Sequence, residues 1–342
     1  MPLIQLQPHA FTSIPLHPSL PDEPSRPQLH AYITSALREA LDLLHAIPTT
    51  FTADSKLRTS SPSRAKVRLL RKWRDSASTT TGAHHAGSAD TDTNRNRKIK
   101  SSGSSSGSEF WVCRQSEHVN ARDDGTASWA EFQDGLRKDH AQHEMEYTPS
   151  VSAIEQLLEW EAAEIGEVEV DGVKFNDVEM EAFLIAPRYF ISLTISAAYD
   201  KSTPPSSTSP STSPTCPDPQ NQPETHPSGF LTIQIPLHAA ASSTTPALMK
   251  KISAAVPKRA IPAHYASVER VELRSGRLSA SSASPSPASS YIEWTMATTS
   301  DAAGSIPQWV QRSWALGGVP KAVVADVGLF IGWTMRRRRG EL

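Results

Sequence analysis

Cysteine is nearly absent, with Cys113 and Cys216 the only two in 342 residues. Two thiols cannot build a disulfide framework, and their wide separation lacks the paired spacing of a structural zinc site. An excess of one charge is also missing: 34 basic against 36 acidic residues leave a net charge of −2. Phosphate binding needs a concentrated basic surface, so no nucleic-acid partner is expected. No run of about 18 apolar residues is present, which excludes a polytopic helical membrane protein. No apolar signal segment follows Met1, and with so little cysteine this predicts a reducing, cytoplasmic location, the nucleus being the alternative. The chain also lacks a nucleophile elbow, a P-loop lysine motif and a dinucleotide fingerprint ahead of a helix. No catalytic residue, cofactor or metal site is therefore expected, and the chain reads as a non-enzyme.

Proline is not scarce, at 27 residues, and it clusters with serine. Segments 76–108, 200–229 and 275–290 are nearly free of large apolar groups. They cannot offset about 1–2 kcal/mol of backbone entropy per residue, so they read as disordered insertions. Long insertions in loops cost a folded body little, because closure entropy grows only logarithmically.

Between these blocks the patterns are those of a folded chain. Leu29, Ile33, Leu37, Leu41 and Leu44 recur at helical spacing after Ser25 and Pro27, and Pro48 is expected to end the run. Residues 65–74 (AKVRLLRKWR) also carry helical spacing in Val67, Leu70 and Trp73 and predict a second helix. Residues 126–147 predict a helix capped by Ser128 with Glu131 three positions later. Strands are predicted at 110–119, at 168–173 or 178–184, and at 189–197, 230–237, 266–273 and 291–298, with prolines at strand ends. The turn signals between them favour antiparallel pairing. Residues 306–333 predict a C-terminal helix interrupted at Gly317-Gly318 and Pro320. The expected architecture is α+β: a curved antiparallel sheet closed by a long C-terminal helix.

The blocks FWVCRQSEH, FLTIQIPL, HYASVERVEL and YIEWTMATTSDAAGSIPQWVQRSWALGGVPKAVVADVGLFIGWT resemble an uncharacterised fungal family with a START-like, lipid-transfer-type domain of the helix-grip class. The most specific part is the run Asp301, Gly304, Ile306, Pro307 and Trp309 ahead of the last helix. The resemblance places a START-like domain at 109–335, after an N-terminal helical segment at 1–75 and a linker at 76–108, with a basic tail at 336–342. The segment Glu181–Pro187 is short for the family, and in START-like folds that neighbourhood lies near the cavity mouth. The function implied is non-catalytic binding or transfer of a hydrophobic small molecule of lipid class between the sheet and the C-terminal helix. An interaction module with a filled cavity and a START-like enzyme are the alternatives.

Only one parity of a strand can face a cavity. Taking the apolar parity gives Val112, Ile191, Leu193, Ile195, Leu231, Ile233, Ile235, Ile292, Trp294 and Met296 as candidate lining. Trp309, Val323 and Val327 join them from the C-terminal segment, with Arg114, Glu269 and Arg270 as charges that contact a headgroup or form ion pairs. The cluster Arg336, Arg337, Arg338 and Arg339 follows the apolar end of the last helix. It reads as a peripheral contact with an anionic membrane or, equally, as a complement to the helix dipole.

Overall fold

The computed structural model describes residues 1–75, 108–200, 228–276, 290–304 and 306–342. The insertions expected at 76–108, 200–229 and 275–290 lie, apart from their end residues, outside that range. Eight long strands are β1 (Lys66–Asp75), β2 (Ser108–Val119), β3 (Ala153–Trp160), β4 (Val173–Ala186), β5 (Phe190–Tyr199), β6 (Gly229–His238), β7 (His264–Ser275) and β8 (Ser290–Asp301). They form one antiparallel sheet in the order β1–β2–β8–β7–β6–β5–β4–β3. Shorter strands pair at its margins, among them His9–Ala10, which runs parallel to the end of β6. The longer helices are α1 (Leu29–Thr50), α2 (Trp129–Leu136), α3 (His140–Tyr147), α4 (Pro246–Ala255) and α5 (Val319–Arg338). The fold is α+β, as the sequence predicts. Among the described residues no helix is long and apolar enough to cross a membrane.

The sheet is covered on both faces. One face packs on α1 through Ile33, Ala36, Leu37, Ala40, Leu44 and Ile47. The facing sheet residues include Ile191, Leu193, Ile195, Leu231, Ile233 and Ile235. Burying each such aliphatic side chain contributes about 1.5–3 kcal/mol, so this layer is a principal source of stability. The other face packs on α2 and α5, where Phe132, Phe330, Ile331 and Trp333 meet Val112, Ile292 and Trp294. Gly135 on α2 is required by that contact, because a Cβ there would lie 2.4 Å from the Trp333 ring and 2.7 Å from Phe330.

Several local expectations change. Residues 66–75 are strand β1 rather than a helix, paired along their length with β2. Val67 and Leu69 are buried on the α5 side and Leu70 on the α1 side. A short run buried on both faces has no periodicity that separates strand from helix, and the long pairing with β2 decides it. The N-terminal segment is thus part of the sheet, and its first residues are tied to α1 by Leu3 and Ile4 N–H groups donating to Glu39. Helix α1 is capped by Gln28, which accepts from Ala31 N at 2.6 Å, not by Ser25. It also runs two residues past Pro48. The missing proline N–H removes one bond, and Phe51 N still closes the last turn on Ile47 O. Residues 126–147 form two helices, broken at Asp139 in a left-handed conformation (φ 47°), while the Ser128/Glu131 capping box forms as expected. β4 runs to Ala186, so nearly all of the short 181–187 segment is strand, and residues 187–189 make the tight connection into β5.

Candidate functional site

The layer between the sheet and α5 is not uniformly apolar. On three adjacent strands the parity facing α5 carries Ser192, Thr194 and Ser196 on β5, Thr232 and Gln234 on β6, and Ser267 and Glu269 on β7. The register continues across β8 and β2, setting Glu269 opposite Met296 and Met296 opposite Arg114. From these rows Thr232, Gln234, Ser267, Glu269, Met296 and Arg114 form one wall of a small, partly open cavity of about 50 Å3. Helix α3 contributes His140, Glu144 and Tyr147 to it, β7 adds Tyr265, β8 adds Trp294, and α5 adds Asp326.

Arg114 and Glu269 anchor the wall. Arg114 Nη2 donates to Glu269 Oε1 at 2.9 Å, and the indole N–H of Trp294 donates to the same oxygen at 2.7 Å. The guanidinium lies 3.8 Å from the Trp294 ring centroid. Arg114 is 1 % exposed, yet its Nε and Nη1 find no partner. Thr232 Oγ1 and His140 Nδ1 are likewise buried without partners. Glu144 keeps 28 % of its side chain exposed, while its Oε2 is enclosed, unbonded and 3.8 Å from His140 Nε2. A buried polar atom left unpaired costs about 1–3 kcal/mol, so this cavity wall is held against a stability cost.

Burial also governs protonation here. It pushes the Glu144 carboxyl above its ordinary range, with His140 opposing and Glu269 adding to the effect. Burial raises Asp326 to about 7, where Arg114 opposes and Glu144 and Glu269 reinforce. The folded chain therefore holds a proton on Asp326 that the unfolded chain releases near pH 4. Stability contributed by the protonated form is complete below that pH, falls as pH rises towards 7, and stays lost above it. Asp326→Asn is expected to raise the melting temperature by on the order of 5 °C near pH 8 and to leave it unchanged near pH 4. Melting curves at the two pH values check this, and an equal shift at both would contradict it.

A second imidazole pairs with a hydroxyl outside this cavity. Ser116 Oγ and His118 Nε2 are 2.9 Å apart, and burial, then Arg114, lowers His118 to about 3. Such a weak base cannot activate the serine efficiently near neutral pH. Cys113 faces the α1 layer, where burial raises its thiol to about 12.

The candidate residues divide between the two faces. Arg114, Glu269, Trp294 and Met296 line the cavity, and Val112, Ile292, Val323 and Val327 pack beside it in the α5 layer. Ile191, Leu193, Ile195, Leu231, Ile233 and Ile235 do not; they face α1. Choosing the apolar parity presumes one covered face, whereas here both are covered and the polar parity faces α5. Arg270 also points away from the cavity and pairs with Glu293 at 3.1 Å. Trp309 is 66 % exposed. The arginine cluster is largely engaged: Arg338 binds Glu131 at 2.6 Å and the carbonyl of Thr126 at 2.8 Å, and Arg337 binds Asp134 at 2.7 Å. Arg339 lies 3.5 Å from Glu341. Sequence reasoning missed His140, Glu144, Tyr147, Thr232, Tyr265 and Asp326. Glu144 is one of several charges on α3 and carries no distinguishing signal, but Asp326 stands alone in the apolar run VVADVGLF.

The sequence profile described as "Protein of unknown function (DUF3074)" matches residues 111–334. The chain belongs to the DUF3074 family. No curated protein matches it. Among solved structures, this DUF3074 chain is similar to the crystal structure of human STARD10, at 9 % identity and a TM-score of 0.38, over 88 % of this chain and 80 % of that one. The family match begins at Trp111 and so omits α1 and β1, which the structure places against and within the same sheet.

Proposed function

We propose that the protein binds a small amphipathic molecule of lipid class without chemical turnover, the polar end entering the cavity between the sheet and α5. The observation that carries this reading is the cavity wall of Arg114, Thr232, His140 and Glu144, whose buried polar atoms lack partners among the described residues. Polar groups kept unpaired in an interior gain by meeting a ligand that pairs them. Tyr147 gives the apolar end a route. It lines the cavity and also an outer groove of about 590 Å3 bounded by residues 60–62 and by Ala325, Gly328, Leu329 and Gly332 of α5. A chain laid along that groove would leave its polar end beside Tyr147.

The interaction-module reading is favoured by one observation, the cavity volume of about 50 Å3, well below the several hundred Å3 of a typical ligand site. Mass spectrometry of small molecules co-purifying with the full chain, extracted under denaturing conditions, separates the two. Recovery of one amphipathic class in near-stoichiometric amount is expected. Protein that is folded, carries nothing, and shows no tryptophan response to any amphiphile favours the module.

A further inference from the structure

The charges around the cavity point to one kind of polar end. We propose that it takes a cationic amine, a primary ammonium held by Asp326 of α5 and Glu144 of α3. The inference rests on the binding reading above and adds the chemical class of the headgroup.

Three carboxyls line the cavity, Glu144, Glu269 and Asp326, against one guanidinium and one imidazole, Arg114 and His140. Arg114 is already bonded to Glu269 at 2.9 Å, and His140 stands 3.8 Å from Glu144. Among the described residues Asp326 forms no ion pair, and Arg114 acts on it only through its field. Enclosed carboxyls without a cation must either stay protonated or receive one from outside, and the raised titration of both acids fits the unliganded state. A second observation is independent of charge. Thr232 is 2 % exposed, lines the cavity, and its hydroxyl has no partner. Together with Glu144 Oε2 and the Asp326 carboxyl it makes a set of acceptors drawn from β6, α3 and α5, suited to the three N–H donors of an ammonium. The phenol rings of Tyr147 and Tyr265 add faces that attract a cation.

Size agrees. A cavity of about 50 Å3 holds a few water-sized groups, at roughly 10–15 Å3 each. An aminomethyl end fits that space; a phosphodiester with its glycerol does not. An anionic end would find Arg114 Nε and Nη1 without partners, but it would enter beside three carboxyls.

The test is a titration of the full chain with decylamine, decanol and decanoate below their aggregation limits, read by tryptophan emission, since Trp294 lies in the wall. Decylamine is expected to bind at least about tenfold more tightly than decanol near pH 7.5, a difference of about 1.4 kcal/mol. Its affinity should rise from pH 6 to 8 as Asp326 ionises, within the field of Arg114, His140, Glu144, Tyr147, Tyr265 and Glu269. Asp326→Asn should weaken decylamine about tenfold or more while raising the melting temperature at the same pH, a combination that general loss of structure cannot produce. Glu144→Gln should weaken it as well. Decanol or decanoate binding as tightly as the amine would overturn the headgroup assignment and leave the binding reading standing. Decylamine affinity unchanged in both variants would overturn the site. No response to any of the three probes would overturn the headgroup and the binding reading together.

Discussion

Arg114→Met is expected to destabilise the protein by about 3–5 kcal/mol, because it leaves the Glu269 carboxylate buried without its cation. The side chain of Arg114 is 1 % exposed and that of Glu269 9 %, so water cannot replace the lost partner. The indole N–H of Trp294 still donates to Glu269, but one neutral donor does not balance a buried charge. Adding Glu269→Gln removes the charge and keeps an acceptor for Trp294. The double variant should therefore recover much of the loss, since a buried ion pair and its neutral replacement often differ little in stability. Urea unfolding of wild type, both single variants and the double variant gives the coupling directly. A loss below about 1 kcal/mol in Arg114→Met, or strict additivity in the double variant, would mean that the pair is solvated in solution.

Phe330→Ala is expected to cost about 3–5 kcal/mol, the range for removing a fully buried aromatic side chain. Phe330 joins the closing helix to the rest of its layer. Its ring centroid lies 4.9 Å from Phe132 on α2, 5.4 Å from Trp294 on β8 and 6.0 Å from Tyr147 on α3. Deleting the ring opens a void among aromatics that are themselves pinned: Trp294 by Glu269, and Trp333 by its N–H bond to Glu146 at 2.8 Å. Such neighbours cannot collapse inward. Phe330→Leu fills part of the volume and should cost markedly less, on the order of 1 kcal/mol. Hydrogen exchange should then show α5 opening before the α1 layer in Phe330→Ala. Uniform loss of protection in both layers would mean that α5 does not open separately.

The strands were legible because their chemistry repeats at period two and their turns are marked. Four of the expected strands, at 110–119, 230–237, 266–273 and 291–298, lie within the observed β2, β6, β7 and β8, and the one at 189–197 matches β5 from Phe190 onward. The break ahead of α5 was legible for a similar reason. Gly317-Gly318 and Pro320 suit a helix start rather than a helix interior, and Pro320 sits in the first turn of α5. The segment that became β1 was not legible, since Leu69 and Leu70 are adjacent and buried on opposite faces of the sheet.

The site was legible only in part. Arg114, Glu269 and Trp294 stood out as charge or bulk inside β-rich runs, and the structure brings them together within hydrogen-bonding distance. The residues that complete the cavity arrive from α3 and α5, far away in sequence, and from Thr232 and Tyr265 on β6 and β7.

By itself the sequence determined most of the local layer of this protein, β1 and the break at Asp139 excepted: which segments extend, which coil, and where chain direction changes, because those choices depend on side-chain period, caps and turn residues a few positions apart. Only the tertiary structure decided which face of the sheet meets which helix. Alternation divides a strand into an apolar and a polar set without saying what covers either. Here α1 takes the apolar set of β5 and β6, so Thr232 and Glu269 face α5 and line one small cavity with Asp326 and Glu144. The preference of Ile and Leu for burial was satisfied on the far side of the sheet, and the polar residues were left to shape the cavity.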